Sequence, residues 1–209
     1  MGSISIIGVG GMARVLGARA RQSGHPLEVV GRDPAKAAEL ARTLGGATAG
    51  TFGAVPAGDI VILAVPYAGA AAVVSQYGDA LAGKVIVDIS NPFAPGFTEL
   101  LVPDGTSAAE EIAKAAPASA HVVKAFNTIF GNVLAADTGE GHPLDVFIAG
   151  DDEQAKARVS AFITSIGMRP LDTGLLGMAR RLEETGLLLM GLGAHGVKSY
   201  SFSLRVDPR

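Results

Sequence analysis

The chain of 209 residues contains no cysteine and no tryptophan. Without thiols it has no disulfides, no thiolate metal site and no cysteine nucleophile. Charge is scarce: Asp, Glu, Lys and Arg make up 18% of residues, and the formal net charge is −3. A balance so near neutral leaves no basic footprint, which argues against nucleic acid as the main partner. Long apolar runs are also missing. The greasiest stretch, 187–193, is too short and glycine-rich for a membrane span, which needs roughly 20 apolar residues. Met1-Gly2-Ser3 leads directly into an apolar segment. No signal peptide is therefore expected, and a cytoplasmic location follows by default. The hydrophobic fraction of 48% predicts a soluble globular protein, one domain with a sizeable core.

Familiar catalytic patterns are absent too. The four histidines, His25, His121, His142 and His195, lie far apart, with none at metal-ligand spacing. There is no Gly-x-Ser-x-Gly elbow and no P-loop, so a serine nucleophile, a resident metal and phosphoryl transfer are not expected.

Glycine, by contrast, is plentiful at 28 residues, and one cluster carries meaning. The apolar run Ile4-Ser5-Ile6-Ile7 stops at Gly8-Val9-Gly10, and Gly11-Met12-Ala13 opens a segment suited to a helix. Strand, tight turn and helix N-terminus together hold the pyrophosphate of a dinucleotide. Gly8 permits the turn, Gly10 lets phosphates approach the backbone, and Ala13 takes the third small position, where helix and strand pack closely. The free N–H groups and the dipole of the new helix face the anion. Gly8, Val9, Gly10, Gly11, Met12 and Ala13 are therefore candidate cofactor residues. The alternative is an ordinary glycine-rich turn. The position of the motif, between the first apolar run and a second strand, favours the dinucleotide site.

That second strand, 27–30, ends at Gly31-Arg32, where an NAD enzyme usually places an acid. A guanidinium there can pair bidentately with a 2′-phosphate, and Lys36 adds charge one helical turn on. Asp33-Pro34 reads as an N-cap followed by proline at the first helical position. NADP(H) is expected over NAD(H).

Further along, strands are expected at 47–50, 59–66, 84–88, 121–126, 144–149 and 168–171. Helices are expected at 12–22, 34–44, 68–77, 106–116, 150–165 and 174–192. The alternation predicts an α/β fold: a Rossmann-type, doubly wound, mainly parallel sheet with a small C-terminal α/β extension. The core spans 1–135 and the extension 143–209, within a single domain. Ligands of such sheets sit outside the carboxyl ends of the strands. This places Ala64, Val65 and Pro66 beside the cofactor, and Ser90, Asn91 and Phe93 on the substrate side. Plain turn chemistry remains the alternative for Asn91-Pro92. Asp151 and Asp152 read as helix caps before they read as metal ligands. The glycine- and acid-rich loop 136–143 is expected to be mobile.

Lys124 and Asn127 form a candidate proton-relay pair, although a lysine in an alternating strand is more often solvated. What remains is a cofactor site with no evident acid or base. That suits hydride transfer between two bound cofactors, where positioning can contribute about 7–11 kcal/mol. The stretch 143–209 is too short to wall in a small substrate alone, and it suits an open cleft for a large flat acceptor.

Over nearly its whole length the sequence resembles the NADPH-dependent reductases of the deazaflavin coenzyme F420. The resemblance is carried by Gly8 to Ala13, Gly31-Arg32 with Lys36, Val65-Pro66, Gly150-Asp151-Asp152, and the ending Arg169-Pro170-Leu171-Asp172-Thr173-Gly174-Leu175-Leu176, followed by Arg181-Leu182-Glu183. It implies that Thr128, Ile129, Gly174 and Leu175 border the nicotinamide and the deazaflavin ring; Asn91, in a loop that departs from the F420 pattern, and Asn127 are expected to shape the same hydride-transfer face. The F420 enzymes usually carry histidine where this chain has Asn127. Lys124-Ala125-Phe126-Asn127-Thr128 instead is similar to the cytosolic domain of the STEAP metalloreductases, which pass electrons from NADPH to a flavin. An asparagine there can donate a hydrogen bond to a ring substituent. The expectation is a homodimeric oxidoreductase using NADP(H), with F420 or FMN/FAD as co-substrate, and with no membrane, nucleic-acid or metal partner. A reductase of a small carbonyl or imine substrate is the first alternative. A non-catalytic NADP(H)-binding redox sensor is the second.

Overall fold

The central strands are mostly apolar, as expected for parallel strands covered on both faces. The computed structural model describes residues 2–136 and 142–207. Its eight strands form one sheet in the order β3-β2-β1-β4-β5-β6-β7-β8. They are β1 (Ile4–Ile7), β2 (Leu27–Val30), β3 (Thr48–Gly50), β4 (Ile60–Leu63), β5 (Val85–Asp88), β6 (His121–Lys124), β7 (Asp145–Gly150) and β8 (Arg169–Asp172). The helices are α1 (Gly11–Gln22), α2 (Pro34–Thr43), α3 (Tyr67–Tyr77), α4 (Ala108–Ala115), α5 (Gly131–Ala135), α6 (Glu153–Ser165) and α7 (Ala179–Gly191).

Alternate strand residues supply two cores. Ile4, Ile6, Ile60 and Ile62 pack with Leu16 of α1, Leu40 of α2 and Phe162 of α6. Ile7, Val61 and Leu63 point the other way, toward Val74 of α3, Ile112 of α4 and Ala179 of α7. This is the doubly wound Rossmann arrangement predicted from the alternation.

The last two strands run the other way. β7 runs antiparallel to β6, with Val123 opposite Gly150 and Lys124 opposite Ala149, and β8 follows β7 in parallel. The register puts Ile7, Leu63, Asp88, Lys124 and Ala149 in one row across the sheet. The end of β8 therefore points away from the carboxyl edge of β1, β4, β5 and β6.

Two elements differ from expectation. The helix predicted over 174–192 begins as a 3-10 turn at Leu176–Met178, becomes α7, and ends in a wider π turn at Leu192–Gly196. α5 was not foreseen, because its five residues are too few to show a helical period. The loop predicted at 136–143 falls largely on 137–141, outside the described residues. Beyond the π turn the chain packs Tyr200 and Phe202 edge-on against Phe130, and the Val206 amide donates to Asp145 Oδ2.

Candidate functional site

The glycine turn is shaped by backbone clearance. Gly8 has φ of 136°, and a Cβ on it would stand 2.1 Å from the Ala64 carbonyl oxygen. Its amide donates to Val30 O at 2.8 Å, and the Ala64 amide donates to Ile7 O at 2.8 Å. The turn is thereby pinned between β2 and β4. Around Gly10 and Gly11 the opposite holds: a Cβ on either would meet no protein atom within 4 Å.

Gly10 is the N-cap of α1 and offers no side-chain cap, and the first turn carries no acid. In α2, α4 and α6, by contrast, Asp33, Ser107 and Asp152 each accept backbone amides. The start of α1 thus presents free N–H groups to open space, the donor set that a pyrophosphate requires. These residues fit a dinucleotide. Val9 and Met12 are half-buried beside the turn, and Ala13 is buried under α1.

Gly31 is buried, and a Cβ on it would press within 2.8 Å of Val9 Cγ1. Arg32 is exposed. Its guanidinium lies 3.9 Å from where a Cβ on Gly69 would stand, so it reaches toward the first turn of α3. Lys36 is also exposed and stands 3.8 Å from Asp33, whose carboxylate accepts the Ala35 and Lys36 amides as the predicted cap. Ala64 and Val65 are half-buried after the end of β4, and exposed Pro66 occupies the N-cap position of α3 without a side-chain cap. Next to it, the Tyr67 hydroxyl donates to Glu111 Oε2 at 3.0 Å. Burial, reinforced by that carboxylate, pushes the Tyr67 hydroxyl up to about 12.

Across the crevice, Asn91 and Asn127 form a reciprocal pair. Asn91 Nδ2 donates to Asn127 O at 2.8 Å, and Asn127 Nδ2 donates to Asn91 Oδ1 at 2.9 Å and to Leu182 O at 2.9 Å. The two backbone carbonyls fix which way each amide faces. The Asn127 amide nitrogen is therefore spent inside the protein, contrary to the expectation that it donates to a ring. Its Oδ1 is buried without a partner.

The pair borders a cavity of about 160 Å³. Thr128, Ile129, Phe130 and Gly131 form one side of it, and Leu189 and Met190 of α7 the other. A Cβ on Gly131 would stand 3.4 Å from Met12 Sδ, so this cavity adjoins the glycine turn. The structure thus brings Asn91, Asn127, Thr128 and Ile129 together.

It does not bring Gly174 and Leu175 there. Gly174 O accepts the Gly150 amide, and Gly150 pairs with Val123, one row below Lys124. Leu175 is 65% exposed. The reversal of β7 sends β8 downward, and α7 must climb roughly 15 Å from Ala179 before Leu189 reaches the cavity. The second half of α7 takes the place expected of the Gly174-Leu175 turn. Asp151 is likewise not a cap of α6; its Oδ1 accepts the Leu176 amide at 2.8 Å.

Lys124 is the largest departure. It is not solvated but 0% exposed, with Nζ 2.8 Å from Asp88 Oδ2, 2.7 Å from Glu183 Oε1 and 2.6 Å from Ser90 O. Asp88 and Glu183 are equally buried, at 0% each. Burial pushes the Glu183 carboxyl upward, against the pull of Lys124 and the Ala108 amide. The signal for this cluster was an acid and a lysine, each the last residue of an apolar parallel strand, where unpaired charge is rarely tolerated.

Among the described residues no group of three or more His, Cys, Asp or Glu is placed to hold a metal. None of the described helices is long and apolar enough to cross a membrane.

Residues 3–92 match a family described as NADP oxidoreductase, coenzyme F420-dependent. A metalloreductase, STEAP3 of Rattus norvegicus, is 36% identical over 187 residues, covering 90% of this chain and 37% of that protein. An F420-dependent NADP reductase of Methanocaldococcus jannaschii is 35% identical over 140 residues, 65% of this chain and 62% of that one. The chain thus spans less than two thirds of both relatives. A crystal structure of a candidate F420-dependent NADP reductase from Arthrobacter sp. FB24 superposes with a TM-score of 0.87 at 25% identity, covering 100% of both chains. An imine reductase from Pseudomonas sp. shares the fold, with a TM-score of 0.69 at 22% identity, over 94% of this chain and 63% of that one.

Proposed function

We propose that this chain, whose residues 3–92 match the family of coenzyme F420-dependent NADP oxidoreductases, binds NADP(H) and exchanges hydride between it and F420 or a related flavin. One observation carries the reading. At a single sheet edge, the uncapped start of α1 adjoins, through Met12, a cavity bordered by Asn91 and Asn127, and exposed Arg32 follows the end of β2.

Gly8 shapes the turn; Gly10, Gly11, Met12 and Ala13 offer backbone to the pyrophosphate, with Val9 packed beneath Gly31. Arg32 and Lys36 select the 2′-phosphate by charge-assisted hydrogen bonds. Ala64, Val65 and Pro66 line the middle of the cofactor. When bound, NADPH supplies a hydride. Asn91, Asn127, Thr128 and Ile129 shape the face where it is passed on, and the cavity between them and α7 orients the acceptor ring. Positioning is the main contribution of such a site. A homodimer in the cytoplasm completes the proposal.

The test is absorbance at the reduced-nicotinamide band with F420, FMN and FAD supplied in turn. Oxidation of NADPH by at least one of them is expected. NADPH that binds yet is oxidised by none would overturn the acceptor assignment.

A further inference from the structure

The buried charges beneath Asn91 and Asn127 have no role in the reading above. The three donors of the Lys124 ammonium meet three acceptors on different parts of the chain: Asp88 ending β5, the Ser90 carbonyl in the loop that follows, and Glu183 in α7. Asp88 Oδ1 also accepts the Ser90 amide at 2.9 Å, so Ser90 is gripped at both its N–H and its C=O. The next residue is Asn91, which pairs with Asn127. Asn127 in turn donates to Leu182 O, and Leu182 precedes Glu183, which returns to Lys124. The hydrogen bonds close a ring. One turn further along α7, Gly186 leaves the room this ring needs: a Cβ there would stand 3.0 Å from Asn91 Oδ1.

Stability alone does not call for such an arrangement, since apolar side chains of similar volume often replace a buried ion pair at no loss. A fixed ammonium with three short bonds does what apolar packing cannot: it sets the orientation of a backbone carbonyl. Resting on the assignment of Asn91 and Asn127 to the hydride-transfer face, we propose that Lys124 is a positioning residue for that face. Through Ser90 and Glu183 it holds the Asn91–Asn127 amide pair in the one orientation that frames the cavity.

The experiment compares Lys124→Met with Glu183→Gln, which keeps an acceptor for the ammonium. In the protein without ligand, the side-chain amide NMR signals of Asn91 and Asn127 are expected to shift or broaden in Lys124→Met and to stay near wild type in Glu183→Gln. The NADPH dissociation constant, read by nicotinamide fluorescence, should change less than about threefold in both. With the acceptor found for the wild type, kcat should fall at least about tenfold in Lys124→Met, yet by less than about twofold when that change is added to Asn127→Ala. If Lys124→Met does not fold, the neutral triple variant Asp88→Asn, Lys124→Met, Glu183→Gln removes all three charges together, and the same shifts are expected. Unchanged amide signals in a folded variant lacking the ammonium, or additive losses in kcat, would overturn the proposal. A wild type that turns over no flavin refutes the acceptor assignment instead, and the amide signals still decide the role of Lys124.

Discussion

A methyl group on Gly8 would stand 2.1 Å from a backbone oxygen, whereas one on Gly10 would meet no protein atom within 4 Å. The two glycines of one turn therefore answer different needs. Gly8→Ala must move β1 or β4 and adopt a strained φ, so it is expected to cost at least about 2 kcal/mol in urea unfolding. Gly10 has an ordinary φ of −83°. Gly10→Ala should leave stability within about 0.5 kcal/mol yet weaken NADPH at least tenfold, roughly 1.4 kcal/mol, in a fluorescence titration; unimpaired binding would place the pyrophosphate elsewhere. Arg32→Ala removes charge-assisted bonds of about 1.5–3 kcal/mol, so the NADPH dissociation constant should rise roughly 10- to 100-fold. The constant for NADH should barely move, and equal losses would mean that Arg32 does not read the phosphate. The turn at Gly8 and Gly10 and the place of Arg32 just past β2 were legible because their signals are local. Lys124 was not, because its carboxylate partners lie 36 and 59 positions away.

At the scale of elements, the starts of α2 and α6 were readable, whereas α5 and the start of α7 were not. Asp33, Ser107 and Asp152 cap α2, α4 and α6, as residues whose side chains compete for backbone amides do. The end of the chain is held differently. Arg169 pairs with Asp145 at 2.6 Å, and the Val206 amide donates to the same carboxylate. Burial pushes the Asp145 carboxyl up, but Arg169 and Val206 outweigh it and leave it below its ordinary range. Asp172 is held low in the same way, with burial opposed by Lys156 and the Gly174 amide. A carboxyl whose folded value is lowered contributes stability above its ordinary value and loses it as pH falls through the lowered one. Urea unfolding should therefore weaken toward acid, and Asp145→Asn should be less stable at neutral pH with a flatter acid slope. An unchanged slope would mean that this pair contributes nothing to acid sensitivity. Glu183 has the opposite sign, because burial raises it. Its contribution is present below the ordinary carboxyl value and is lost as pH rises through the raised one.

For the molecule as a whole, the proposed cofactor site joins β1, β2 and β4 to α1, so a ligand there should stabilise the whole sheet. At a hundred times its dissociation constant, NADPH would add about 2.7 kcal/mol. For a chain of this size that is roughly 5–10 °C in Tm by thermal-shift measurement. NADH at the same concentration should give a smaller shift. Equal shifts would contradict selection of the 2′-phosphate, and no shift with NADPH would contradict the site itself.

The order of strands and helices, the glycine turn, the caps and the choice of Arg32 at the end of β2 were determined by the sequence alone, since each depends on neighbours within a few residues. Tertiary structure decided the rest. Nothing local to 144–150 shows that β7 runs backwards, yet that reversal carries Gly174 and Leu175 away from the cavity and makes α7 deliver Leu189 and Met190 in their place. Nor does the segment around Lys124 show that its charge is buried. A lysine at the end of a strand is solvated or sealed according to what packs over it, and here β5 and α7 supply the carboxylates that seal it.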